Sequence, residues 1–154
     1  MARRTGFTII ETMLAVVIVS IMTLIAFPKV RSSMIKADLR GARTRVVNML
    51  STARITATQG NRSAWLTFNG NTAVVTASPR RNLPIGANTL DTIGTTINLN
   101  TVYGAAVSLS GGVTRVAYDP RGIASGFGGT VTISLARSGY TQSIVVDMLG
   151  RVTK

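Results

Sequence analysis

The sequence predicts an α+β fold: a long N-terminal helix, transmembrane at first and then amphipathic, packed on an antiparallel β-sheet globular domain. Three observations predict it. Thr12 to Pro28 is uncharged and mostly Val, Ile, Leu, Met and Ala. After Pro28, apolar residues recur at spacings of three and four as far as Gly60. Beyond Gly60, short runs rich in β-branched residues alternate with clusters of Gly, Asn, Asp and Pro. The second pattern has the helical period, and the third has the punctuation of strands and turns. At 154 residues the chain is one domain by length, with a membrane segment attached.

With Phe7 to Ile10, the apolar run reaches the roughly 20 residues a helix needs to cross a bilayer. A single segment in lipid must satisfy its own backbone hydrogen bonds, so helix is the state expected. Between Phe7 and Pro28 the one charge is Glu11. An ionised carboxylate deep in hydrocarbon costs at least ~2.5–3.5 kcal/mol on insertion scales. Glu11 therefore either stays wet near the headgroups or waits for a positive partner inside the membrane or an assembly.

The helical pattern continues through Val30, Met34, Ala37, Gly41, Ala42, Val46, Met49, Leu50, Ala53 and Ala57, which share a face. Lys36, Arg40, Arg43 and Arg54 follow a similar period on another face. Gly60-Asn61 reads as the C-cap. A helix from Phe7 to about Gly60 would be on the order of 80 Å long at 1.5 Å per residue. A compact domain of this size cannot bury that length. Its first half belongs in lipid or against sister helices, and its second half against a sheet.

Ser63–Phe68 and Thr72–Ala77 flank Asn69-Gly70-Asn71, a hairpin signal. Residues 78–96 hold Pro79, Pro84, Gly86 and Gly94 and read as a loop. Thr96–Val102, Ala105–Leu109 and Thr114–Tyr118 read as short strands. Asp119-Pro120-Arg121-Gly122 is a turn, and Gly126 to Gly129 is another break. Thr130–Ala136 alternates apolar and polar residues, Ser143–Met148 is the last strand expected, and residues 150–154 form a tail.

The chain has 17 Lys and Arg against 5 Asp and Glu, and no His or Cys. Such a balance suits a polyanionic partner, whether nucleic acid, anionic lipid or an acidic polysaccharide, or keeps a Thr-rich surface soluble. Without Cys the core must hold without disulfides. Arg3 and Arg4 favour a cytoplasmic N-terminus; Lys29 and Arg31 pull the other way. With no His or Cys and only scattered acids, no catalytic or metal-binding set is visible, so neither an enzyme nor a cofactor is expected.

Gly6-Phe7-Thr8-Ile9-Ile10-Glu11 resembles the prepilin peptidase motif of type IV pilins and pseudopilins. The resemblance implies a leader over residues 1–6, cleavage between Gly6 and Phe7 by prepilin peptidase, and N-methylation of Phe7. It implies that Glu11 meets the N-terminal amine of a neighbouring subunit. It divides the helix into a transmembrane and assembly segment, 7–28, and an amphipathic continuation, 29–60, with a kink at Pro28. Cleavage would leave fifteen cations against five acids, since Arg3 and Arg4 go with the leader.

Residues 61–154 resemble the GspH/FimT domain of minor pseudopilins and minor pilins. The resemblance rests on Val116-Ala117-Tyr118-Asp119-Pro120-Arg121-Gly122, Thr130-Val131-Thr132-Ile133, Ile144-Val145-Val146 and Gly150-Arg151-Val152. It implies a pilin fold, anchorage in the inner membrane with a periplasmic domain, and incorporation near the tip of a type IV pilus or a type II secretion pseudopilus. In some members of the FimT branch, basic C-terminal residues bind DNA during natural transformation. The matching residues are Arg151 and Lys154, with Arg121, Arg137, Arg80 and Arg81 extending the patch if the fold gathers them. Lys36, Arg40 and Arg43 could instead face lipid headgroups or neighbouring subunits. Trp65 and Phe68 read as packing residues within a strand, so stacking on single strands has no aromatic support. A membrane-tethered periplasmic binding module that never polymerises is the remaining alternative.

Overall fold

The computed structural model describes residues 6–79 and 90–153. The chain divides into two units, residues 1–35 and 36–154. One helix, α1 (Ile9–Gly60), contributes to both.

In the first unit α1 carries the apolar run. Its most apolar 18-residue window has a mean hydropathy of 2.5 and buries nothing within the chain. The hydroxyls in this stretch are satisfied locally. Thr12, Ser20 and Thr23 donate to the carbonyls of Ile9, Val16 and Val19. Back-bonding of this kind makes a hydroxyl cheap to carry into lipid. Pro28 lies inside α1 and does not end it; lacking an N–H, it leaves the Leu24 carbonyl without its usual helical donor.

In the second unit α1 buries Leu39, Ala42, Val46, Met49, Leu50, Ala53 and Ala57. This is the expected face from Ala42 onward, with Leu39 added. Val30, Met34 and Ala37 are exposed. Asn61, at φ 46°, takes the left-handed position that closes the helix.

Two antiparallel sheets complete the unit. The first has strand order β3-β2-β1-β5-β6, built from β1 (Ala64–Asn69), β2 (Thr72–Ala77), β3 (Asp91–Asn98), β5 (Arg115–Tyr118) and β6 (Ala124–Ser125). The second has order β4-β7-β8-β9, from β4 (Ala106–Leu109), β7 (Thr130–Arg137), β8 (Tyr140–Asp147) and β9 (Val152–Thr153). Leu66, Phe68, Val75, Val116, Tyr118, Ile133, Leu135, Ile144 and Val146 are buried with the helix face. Their alternation with less buried neighbours is the period-2 signature of sheets covered on one face.

Several expectations are corrected. The expected loop over 78–96 already contains β3 from Asp91, while residues 80–89 lie outside the described residues. Gly94, read as a breaker, has φ +78° where the β2–β3 register slips between Ala73 and Val75, so it marks a bulge. The expected strand Thr96–Val102 ends at Asn98 and becomes a short helix, α2 (Leu99–Tyr103). The Asn98 side chain accepts from the N–H groups of Asn100 and Thr101 (3.0 and 3.1 Å), and Gly104 closes the other end in the left-handed region. The two caps override the strand preference of Thr-Val-Tyr. The expected strand Ser143–Met148 begins earlier, at Tyr140, because Ser138 and Gly139, both at positive φ, make the two-residue hairpin turn from β7. The short strands β6 and β9 were not anticipated. β9 turns part of the expected tail into an edge strand on β8.

Candidate functional site

Two regions carry the candidate residues, one in each unit. In the first, Gly6 and Phe7 precede the helix, and Phe7 is 81% exposed. A side chain placed on Gly6 would meet nothing within 4 Å. Nothing among the described residues requires glycine there. Glu11 sits in the first turn of α1, where its backbone N–H donates to the Thr8 hydroxyl (3.3 Å) and carbonyl (3.1 Å). Thr8-x-x-Glu11 is thus a capping-box pattern, and a carboxylate at this end complements the helix dipole. This local role of Glu11 was legible as a motif and was missed. No cation among the described residues pairs with the Glu11 side chain.

In the second unit the two loose motifs, Asp119 to Gly122 and Asp147 to Gly150, form two turns of the same construction. Each Asp carbonyl accepts from the Gly N–H three residues on (2.9 Å in both). Each Asp N–H donates to the carbonyl four residues on, Ile123 (3.0 Å) and Arg151 (3.1 Å). Each Asp side chain accepts backbone N–H groups from within its turn, Asp119 from Arg121 and Ile123, and Asp147 from Arg151. The turns touch. The Ala124 N–H donates to the Met148 carbonyl (3.1 Å), and a Cβ on Gly150 would lie 2.6 Å from the Gly122 carbonyl oxygen. Arg54 of α1 donates to the Gly150 carbonyl (3.3 Å). Sequence spacing alone could not pair turns this far apart in the chain.

The paired turns place Arg121 and Arg151 at the surface. Arg151 Nε donates to Asp147 Oδ2 (3.0 Å), yet its side chain stays 72% exposed. The Asp147 carboxyl is held below the usual carboxylate range, first by the Arg151 backbone N–H; burial opposes this as the second effect, and the Arg151 side chain adds to the lowering. Other cations have structural work. Arg137 is clamped between Asp38 of α1 and the Tyr103 carbonyl, so we leave it out of the basic surface. Arg62 spans Ser78 and Asp91, and Arg43 reaches Gln142 (3.2 Å). Lys36 lies over the Tyr140 ring at 4.9 Å. Lys154, Arg80 and Arg81 lie outside the described residues. Asp38, Asp91, Asp119 and Asp147 each hold an arginine or a turn.

Beneath the turns, Tyr118 is 1% exposed, and its hydroxyl has no hydrogen-bond partner among the described residues. Burial pushes its pKa up to about 12, with Arg54 opposing and Asp147 adding. The folded state holds this proton more tightly than the unfolded chain. The stability it contributes is therefore complete below pH ~10 and lost as pH rises toward 12. Spectrophotometric titration should show one tyrosine ionising only near that pH. Tyr118→Phe should be neutral or stabilising by up to ~1 kcal/mol in thermal melts, because it removes an unpaired buried hydroxyl. A clear loss of stability would show that the hydroxyl has a partner.

Trp65 also needs correction. Phe68 packs inward as expected, but Trp65 points to the other face of the sheet and is only partly buried. It lies across from Thr76 on β2 and Ala117 on β5.

Comparison with known proteins follows the same division. Residues 1–27 match the prokaryotic N-terminal methylation motif, and residues 42–150 match the family described as type II transport protein GspH. No curated protein sequence matches. Among solved structures, the chain is similar to the type IV minor pilin FimU of Pseudomonas aeruginosa. In one crystal form the TM-score is 0.56 at 11% identity, covering 77% of this chain and 88% of that one. In a second form it is 0.52 at 13% identity, covering 75% and 90%. At such identity the likeness establishes the fold alone. The chain has the α+β type IV pilin fold, and with its methylation motif and the match over residues 42–150 it belongs to the GspH family.

Proposed function

We propose that this minor pilin or pseudopilin is cut between Gly6 and Phe7 by prepilin peptidase, methylated on Phe7 and assembled into a filament through α1. The observation that carries the reading is an apolar helix segment with no burial inside its own chain and one carboxylate with no cation partner among the described residues. A segment of this kind is stable in lipid, or against other copies of itself and its relatives. The Phe7 amine of a neighbour would supply the missing cation for Glu11. Gly6 fits the scheme, since a residue with no internal reason to be glycine suits recognition by a separate enzyme. Pro28 supplies a bend where the helix leaves the membrane. The precursor sits in the inner membrane with residues 1–6 cytoplasmic and the β-rich domain periplasmic. It enters a type II secretion pseudopilus or a type IV pilus, near the tip. Mass spectrometry of the mature protein tests this: a methylated Phe7 N-terminus is the expected result. An intact Met1 in cells with a working apparatus would leave the non-polymerising tether as the reading.

A second reading, DNA binding, is supported by one specific observation: the two turns that touch each carry an exposed arginine, Arg121 and Arg151. Contacts to phosphate need only charge and reach, so binding would be independent of sequence and weakened by salt. Replacing both Arg121 and Arg151 by Ala should weaken binding and make the slope of log affinity against log salt shallower by about 2. An unchanged slope in mobility-shift assays would remove these residues from the interface.

A further inference from the structure

We propose that the groove beside Trp65 is a single-stranded nucleic-acid subsite, with a base stacked against the Trp65 indole and its phosphate held by Arg115. The proposal rests on the DNA-binding reading above and names a second, chemically distinct contact for it. The groove has a volume of about 440 Å³ and opens on the face of the first sheet that carries Trp65. That volume is within the range of small-ligand sites. Trp65 and Arg115 are diagonal neighbours on adjacent strands, since Trp65 pairs with Ala117 and Thr67 with Arg115. The Arg115 guanidinium lies over the indole ring, 6.0 Å from its centre, so an incoming base takes over that face as the guanidinium turns to its phosphate.

The lining chooses the ligand. It brings together the one tryptophan of the chain and an exposed arginine. No carboxylate lines the groove, and no acid among the described residues pairs with Arg115. An anionic group entering there would meet attraction only. At the mouth, Gly112 and Gly126 have positive φ, and a Cβ on either would meet nothing within 4 Å. A flat ring with an attached anion fits this set: the ring lies on the indole and the anion meets the guanidinium. A neutral sugar fits less well, because its hydroxyls favour carboxylate or carboxamide partners, and neither is among the described residues that line the groove. Duplex DNA keeps its bases stacked on one another and cannot present a free ring face, so the strand must be single.

Because Trp65 is the sole tryptophan, its fluorescence reports on the groove alone. Full-length protein in detergent micelles is titrated with a labelled thymidine oligonucleotide, following label anisotropy and tryptophan emission together. The expected result is quenching of Trp65 with the same midpoint as the anisotropy rise. Duplex DNA and heparin should leave the emission unchanged. Arg115→Ala, at an exposed position, should weaken single-strand binding roughly 5- to 10-fold, and Trp65→Leu by about tenfold. Binding seen by anisotropy with unaltered Trp65 emission would overturn the groove and leave the DNA reading standing. Equal quenching by heparin would overturn base stacking. No binding by any probe at low salt would overturn the DNA reading and the groove with it.

Discussion

Filaments will exclude a Glu11→Val subunit while the membrane accepts it. The carboxylate is the one charge between Phe7 and Pro28, so Val makes the segment no harder to insert and relieves up to about 2.5–3.5 kcal/mol, the cost of an acid deep in hydrocarbon. Helix capping survives, because Thr8 accepts the backbone N–H of residue 11 and not its side chain. What the isolated subunit loses is the interaction of an acid with the helix dipole, ~0.3–1 kcal/mol. On the assembly proposed above, what the filament loses is a charge pair in a low-dielectric interior. There the neighbour's amine would be buried without a counter-ion, a penalty of roughly 3–5 kcal/mol. The mutant should be inserted, cleaved and methylated normally, yet fall at least tenfold in sheared filaments by quantitative immunoblot. Glu11→Asp should recover part of the incorporation, since it keeps the charge and loses only reach. Incorporation of the Val variant at wild-type level would mean that Glu11 serves only the helix terminus.

The second large effect is expected at Gly150. Its φ is +73°, and a Cβ there would meet the Gly122 carbonyl oxygen at 2.6 Å and the Tyr118 ring at 3.1 Å. Gly150→Ala therefore combines left-handed strain of about 1–2 kcal/mol with an overpacking cost of about 1–3 kcal/mol. Gly139→Ala is the control. Its φ is +82°, but the space around it is open, so it should show the backbone strain alone. Melting temperatures of the two variants should differ clearly, with Gly150→Ala much the lower. If they match, the two Asp-to-Gly turns do not depend on each other. The Gly150 variant should also displace Arg151 relative to Arg121 and weaken any binding that needs both.

The pairing of those turns shows where sequence reading stopped. Asp119-Pro120-Arg121-Gly122 was legible as a turn because its signals are local: an Asp that caps, a Pro that sets φ, and a Gly for the left-handed end. Asp147 to Gly150 has the same Asp and Gly spacing, but in the sequence its Gly-Arg-Val stands as part of the family resemblance and not as a turn. That the two turns are one structure depends on strands brought together from distant parts of the chain. The same limit applied to Arg137. Its charge suggested the surface, but Asp38 and Tyr103, far off in sequence, hold it in place. Trp65 was assigned to packing by its residue type, whereas its face is set by the register of β1 between β2 and β5. In α2 the reverse happened: the caps at Asn98 and Gly104 are local signals, and they were outweighed by strand propensity.

By itself the sequence determined the long helix, its division into a lipid-compatible and an amphipathic part, the β-rich remainder and the processing motif. The first three are written in composition and short-range periodicity, and the motif in a resemblance to known prepilins; none needs knowledge of what the chain folds against. Only the tertiary structure decided which arginines are bound internally and which face solvent, that two turns share one surface, and that Trp65 opens on a groove. Those properties belong to side chains whose neighbours are remote in the chain. A side chain's exposure and charge partners are settled by whichever strands and helix pack beside it.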